Sequence, residues 1–364
     1  MILRDERARL LGFNSHAEYA LRWLMAKNSE TVVAFVDDLQ PRFERLAEKE
    51  LKGLLEQKTA HLASRNESFD GNFYVWDWDF YNRLMMEQKY DLDQSQLSEY
   101  FELWHSMDKI LEIFSGMLGL EFAKLEPTDY RKLSPDGLIT WHEEVVVYGV
   151  WDTEVAGLDD DGFLGFLMLD MFPRDGKYPW MANWVLEDPY ERPGGKKSRS
   201  KPTTALVCNI GPSITGKPTL MTQRDLYGAF HELGHAMNML VGKNKYARFS
   251  PYWTETDFIE APALMLENWM WNETVLKSVG KHYKTGEPIP DDMLQRFVPT
   301  RNLNQALNNL LDIGNVRFDM LIHNQKTHDD IVKLRDMAAP YNRLVFDSTG
   351  MKGPDVYDPE HYNK

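Results

Sequence analysis

The stretch LYGAFHELGHAMNML, residues 226–240, carries His231 and His235 four positions apart, with Glu232 directly after the first. At 3.6 residues per turn, positions four apart lie about 40° apart around a helix and roughly 6 Å apart along it. Both imidazoles can therefore reach one ion. Glu232 is turned about 100° from His231, beside such an ion rather than on it. From there a carboxylate can hold and deprotonate a metal-bound water, which is the mechanical content of H-E-x-x-H. The spacing alone does not decide the matter. Two histidines satisfied by hydrogen bonds on a buried helix would read the same way.

A third ligand separates the two readings, because catalytic zinc takes three protein ligands and keeps one position open. Downstream, TETDFIEAPALMLENWMW, residues 254–271, is dense in carboxylates yet otherwise apolar. Glu260 and Glu267 are seven residues apart, hence on one helical face, and Asp257 precedes Glu260 by three. Pro262 fits the first turn of a helix beginning near Phe258. Acidic side chains on an apolar helix are costly to bury without a cationic partner. A zinc ion on the preceding helix supplies one. That helix is expected to start at Thr222, with Asp225 three residues on, and to stop at Gly242.

The elements that must position these groups fall into three stretches. Residues 1 to about 115 read as helical. SHAEYALRWLM opens with Ser15 and has Glu18 three residues later, a capping box ahead of an apolar stripe. TVVAFVDDLQPRFERLAEKELKGLLEQK repeats apolar residues at helical spacing, and GNFYVWDWDFYNRLM and LSEYFELWHSMDKILEIFSGML continue the pattern. Their aromatics are expected to be helix-packing core. From about 140 to 215, VVVYGVWD, GFLGFLMLDMF and TTALVCNI are short β-branched or aromatic runs separated by Gly, Asp and Pro, which is strand and turn chemistry. From 220 onward helices return. The expected fold is mainly α, with a small β-sheet near the metal helix and no repeat or low-complexity tract to mark a boundary within 1–364.

Bulk properties narrow the function classes. The chain has 364 residues and a net charge of −15, which argues against a nucleic-acid surface as its main role. The single cysteine, Cys208 in ALVCNI, rules out an intrachain disulfide and is expected to be a buried small residue. No run is long and apolar enough for a bilayer, and MILRDERARLL is charged within four residues, unlike a signal peptide. A cytoplasmic chain with no membrane partner is the expectation. The basic, Gly/Pro-rich ERPGGKKSRSKPTT reads as a solvated loop. GPSITGKP, residues 211–218, nearly fits a phosphate-binding loop, but Pro218 lacks both the hydroxyl and the N–H that such a loop uses.

AFHELGHAMNML, followed twenty-five residues after its second histidine by the glutamate of DFIEAPALMLENW, resembles the thimet oligopeptidase family of zinc metallopeptidases. The likeness extends through WDWDFYNRLMMEQKYDLDQSQLSEYF, GFLMLDMFPRDGKY and ALVCNIGPSITGKPTLMT, and so covers nearly the whole chain. It implies a single helical, zincin-type catalytic region over 1–364 with one zinc ion. His231, His235 and Glu260 would be its ligands and Glu232 the general base. Asp257 and Glu267 would orient the histidines. The implied activity is hydrolysis of short oligopeptides by a zinc-bound water that Glu232 activates.

Family members are normally longer at both ends. They carry, after the zinc motif, a Gly- and Tyr-rich loop with a histidine that contacts substrate. Nothing in this chain matches that loop; Tyr357, His361 and Tyr362 lie near its end without the glycine-rich context. The resemblance therefore leaves two expectations. One is a zinc endopeptidase, favoured by the intact Glu232. The other is a truncated, weakly active or inactive zinc-binding relative that binds peptides or partners.

Overall fold

The apolar repeat that begins at Thr31 becomes the 36-residue helix Ser29–Ser64, capped by Asn28, whose side chain accepts from the Thr31 amide. The computed structural model describes all residues except 135, 137–138, 155–161, 194–198, 214–215, 335–336 and 355–364. These form two compact units, one joining Met1–Leu92 to Pro299–Lys364, the other spanning Asp93–Val298. The basic Gly/Pro-rich stretch and GPSITGKP lie partly outside the described residues, and Tyr357, His361 and Tyr362 lie wholly outside them. Among the described residues, no helix is long and apolar enough to cross a membrane.

In the first unit the long helix packs on Gln305–His323 and Ala338–Thr349. Val36, Ala47 and Leu54 meet Leu307, Leu310 and Ile313 in a core that also takes in Phe73 and Tyr81. Those two aromatics are core as expected, whereas Trp76 is 59% exposed. Ser15 caps its helix by accepting from the Glu18 amide at 3.1 Å; Glu18 reaches one residue beyond the usual box, to the Asn14 amide at 2.8 Å. Glu50 accepts from the Leu307 amide at 2.9 Å, closing the start of Gln305–His323 from the side. Burial pushes the Glu50 carboxyl above its usual range, against the pull of those amides.

The second unit contains strands β1 (Leu120–Lys124), β2 (Val146–Asp152), β3 (Phe163–Asp170), β4 (Ala182–Glu187), β5 (Tyr190–Glu191), β6 (Arg199–Ser200) and β7 (Thr203–Val207). The three expected strand runs are β2, β3 and β7. The stretch between 115 and 140, left unassigned by its composition, holds β1 and a helix, Pro127–Leu133. Gly119, at φ +66°, ends the helix Leu103–Leu118 and turns the chain straight into β1. The main sheet runs β1-β2-β3-β7-β4, antiparallel except for the β3–β7 pair, while β5 and β6 form a separate ribbon. Alternation sorts its faces. Val147, Met168, Ala205 and Val207 form one apolar layer with Val145, and Leu125 and Phe166 pack against it. The other face receives the helix Gln223–Val241, which crosses β3, β7 and β4. Cys208, just past β7, is fully buried, and burial pushes its thiol up.

The turn from β3 to β4 is stapled by one carboxylate. Asp170 is 2% exposed. It accepts two bonds from Arg174 at 2.6 Å, one from Lys177 at 2.9 Å and one from the Trp141 indole at 2.8 Å. Lys177 also donates to the Asp170 and Phe172 carbonyls, so the turn folds around its ammonium. Burial alone would raise the Asp170 pKa, but the bonds from Arg174, Lys177 and Trp141 outweigh it and hold the group at about 2. Asp170→Asn leaves a buried ammonium unpaired and is expected to cost about 3–5 kcal/mol in urea unfolding at neutral pH. Because the folded pKa lies below that of a free aspartate, about 3.8, the contribution is present above that value and lost as pH falls toward 2. The parent should therefore lose stability across that window more steeply than the variant. A loss under about 1 kcal/mol at neutral pH would remove the staple from this account.

Candidate metal centre

Thr222 and Asp225 form the expected capping box: the Thr222 hydroxyl accepts from the Asp225 amide at 3.2 Å, and the Asp225 carboxylate accepts from the Thr222 amide at 2.8 Å. The helix so started, Gln223–Val241, buries Leu226, Phe230, Leu233 and Met237 and ends at Gly242. Its period then places His231 and His235 at the rim of the buried face, with side chains 20% and 18% exposed. Their ring centroids are 5.0 Å apart.

The following segment brings the carboxylates to them. Regular helix begins at Ala261, three residues later than the expected start at Phe258, with Pro262 in its first turn and Glu260 as its N-cap. Gly234, between the two histidines, makes this approach possible. A Cβ there would lie 2.7 Å from the Ala263 Cα, a backbone atom that cannot swing aside. Glycine inside a helix costs about 1 kcal/mol relative to alanine, so its presence within the motif was a readable sign of close packing.

Glu260 Oε2 lies 3.1 Å from Nε2 of His231 and 3.1 Å from Nε2 of His235. One ligand atom from each of the three residues falls within 4.8 Å of the others. His231 is fixed from behind, because its Nδ1 lies 3.0 Å from Glu267 Oε2. A carboxylate only accepts, so Nδ1 carries the proton and the His231 Nε2 turns a lone pair toward Glu260. Two imidazole nitrogens and a carboxylate oxygen, crowded at this distance, repel unless a proton or cation sits among them. This donor set, two nitrogens and one oxygen with a carboxylate behind an imidazole, fits a divalent metal such as zinc.

Glu232 takes no part in that convergence. Its Oε2 accepts from the backbone amide of Asn183 on β4 at 2.7 Å. Burial pushes its carboxyl above the usual range, opposed by the two imidazoles and the Asn183 amide. Asp257 is exposed in the turn leading to Glu260; of the two carboxylates expected to orient the histidines, Glu267 lies on Nδ1 of His231. Asn183 was not singled out in the sequence. No local pattern in MANWVLE announces that one of its amides meets a residue 49 positions away.

The sequence profile of peptidase family M3 matches residues 1–361. The chain is 36% identical to saccharolysin of Saccharomyces cerevisiae over 328 residues, 89% of this chain and 44% of that protein. It is 32% identical to the thimet-like oligopeptidase of Dictyostelium discoideum over 355 residues, covering 95% and 49%. Against oligopeptidase A of Escherichia coli the identity is 27% over 348 residues, covering 95% and 47%. The chain thus spans slightly less than half the length of the curated relatives it matches. With the family profile running almost end to end, and with two histidines and a glutamate converging in a cluster that could hold a metal ion, the chain belongs to peptidase family M3.

Proposed function

We propose that residues 1–364 form a single metalloendopeptidase catalytic region that hydrolyses short oligopeptides, with one zinc ion held by His231, His235 and Glu260 and with Glu232 as general base. A cytoplasmic setting suits its one, buried cysteine. The observation that carries the reading is the convergence of two Nε2 atoms and one carboxylate oxygen, with a separately held carboxylate beside them. Zinc, when bound, supplies Lewis acidity that polarises a carbonyl and acidifies water.

The chain's own groups account for the rest. Glu267 keeps the proton on His231 Nδ1, so that Nε2 faces the site as a donor. The Asn183 amide anchors one oxygen of Glu232 and leaves the other to take a proton from the attacking water. As the water oxygen bonds to the peptide carbonyl carbon and the C–N bond breaks, that proton passes from Glu232 to the departing amine. A carboxyl pushed above its usual range by burial holds a proton better than an exposed one, which suits both halves of the transfer. The intact and anchored Glu232 favours this reading over an inactive zinc-binding one. The names of the relatives, oligopeptidases among them, support short peptides as substrates.

Purified protein is expected to hold one equivalent of zinc by metal analysis, and His235→Ala to hold almost none. Equal zinc in both would remove His235 from the site. Glu267→Ala should weaken zinc about 10–100-fold in a chelator competition, as loss of a group behind a ligating histidine typically does. Unchanged affinity would mean that the 3.0 Å contact does no orienting. Glu232→Gln is expected to keep its zinc while peptide turnover falls by about 10²–10⁴-fold. Loss of zinc in that variant would instead make Glu232 a ligand.

A further inference from the structure

The helices Ile2–Leu10 and His16–Leu21 are fastened to the rest of the first unit by polar groups more than by apolar ones. Ile2–Leu10 buries Asp5 and Ala8, and His16–Leu21 buries Ala17. Leu3 and Leu10 face solvent, 79% and 88% exposed. The fastening is a seam of hydrogen bonds. Asp5 accepts from Arg9 and from Nδ1 of His328, both at 2.8 Å. Arg9 also donates to the Gln325 carbonyl at 3.1 Å, and the Ser15 hydroxyl donates to Asn324 Oδ1 at 3.1 Å. Arg4 donates to Nε2 of His323, the last residue of the helix Gln305–His323, at 3.2 Å.

Two imidazoles in this seam are placed as neutral rings. Arginine only donates, so His323 Nε2 accepts from Arg4 and the proton sits on Nδ1, which donates to Asp319 at 3.1 Å. A second proton would set an N–H against the guanidinium. His16 packs on that ring with centroids 4.9 Å apart, and its Nδ1 is buried with no partner among the described residues. An imidazolium carries hydrogen on both nitrogens, so a charged His16 would hold a buried N–H without an acceptor. Burial, the His323 ring and the Arg4 and Arg7 guanidiniums push the His16 pKa below its ordinary value, against the pull of Asp319. The helix Ser29–Ser64, which also touches His16–Leu21, supplies none of these charges. Burial would raise the Asp5 carboxyl, but the bonds from Arg9 and His328 outweigh it, so Asp5 keeps its charge while the histidines titrate. His328 works the other way: Asp5 accepts from its Nδ1 and Glu6 lies 3.7 Å from its Nε2, so a proton there tightens the seam.

We propose that Ile2–Leu10 and His16–Leu21 form an acid-released clasp on the end of the helix Gln305–His323, which opens when His16 and His323 take up protons. A histidine whose pKa is lower in the closed state supports closure fully above the free value of about 6.5 and loses it as pH falls below. Each ring that must stay neutral weakens the closed state by about tenfold between pH 7.5 and 5.5, so the pair can reach about a hundredfold, less what His328 returns. Neither zinc nor peptide turnover enters into this.

Hydrogen exchange of the full chain, followed by mass spectrometry at pH 7.5 and 5.5 and corrected for the intrinsic pH dependence of exchange, reads the clasp directly. Amides in residues 2–21 should lose about ten- to a hundredfold in protection at pH 5.5, while those of Ser29–Ser64 keep theirs. His16→Phe keeps a ring on His323 but takes no proton, and should retain about tenfold more protection at pH 5.5 than the parent. His323→Gln, which can still accept from Arg4, should do the same and serves if the phenylalanine variant does not fold. His328→Gln should enlarge the loss. Equal protection of residues 2–21 at both pH values in the parent, or an undiminished loss in both His16→Phe and His323→Gln, would overturn the clasp. So would a loss spread evenly into Ser29–Ser64, which marks general unfolding.

Discussion

Lone pairs aimed at a common point are the constraint around which the second unit is built. Nε2 of His231 and Nε2 of His235 each lie 3.1 Å from one oxygen of Glu260, a crowding that needs a proton or a cation among them. The surrounding structure holds them there. Leu226, Phe230, Leu233 and Met237 bury the opposite side of the helix and so fix its rotation. Glu267 fixes the His231 tautomer, and Gly234 removes the one side chain that would keep the Glu260 segment away. A cation held there, as proposed, would relieve the repulsion that this packing imposes, which is how a folded scaffold stores affinity for an ion.

Two glutamates at the site are placed differently by the backbone around them. Glu260 precedes a helix and is half exposed, and its carboxylate oxygen faces the imidazoles. Glu232 lies one residue past His231, turned away from the convergence and buried against β4, where a main-chain amide meets it. That amide is fixed in turn by the strand, and the strand by the turn that Asp170, Arg174 and Lys177 staple together. A buried ion pair is weak evidence of stability on its own. Its value here is positional: it sets where β4 begins, and through β4 where the Glu232 carboxylate stands.

Much of this was legible in the letters because the chemistry is local. His231, Glu232 and His235 lie within five residues, and helical period alone predicts their geometry; Thr222 with Asp225 gives the start of that helix from sequence. Carboxylates in an apolar segment marked Glu260 and Glu267 as residues needing a cation, and the resemblance chose between them. The groups that stayed hidden act across distance. Asn183 reaches Glu232 only because β4 pairs with β7 at the sheet edge, and that pairing depends on register between segments about twenty residues apart. The start of the Glu260 helix was misplaced by three residues because a string of turns and a helical turn share composition. The division into two units was invisible for a related reason: the first is assembled from both ends of the chain, so no linker marks its limits.

The position of β4 also bears on what the site can accept. It is an edge strand, with Trp184 and Leu186 on its exposed side, and an unpaired edge invites an added strand. At Asn183 that invitation is already answered by Glu232, so an incoming chain cannot pair at this residue through the main chain. An extended peptide can still pair with the strand on either side of Asn183. A folded segment cannot, because its backbone groups are already paired with one another. Under the proposed peptidase function, a preference for unstructured peptides would then follow from the sheet edge itself, before any wall or channel around the site is considered.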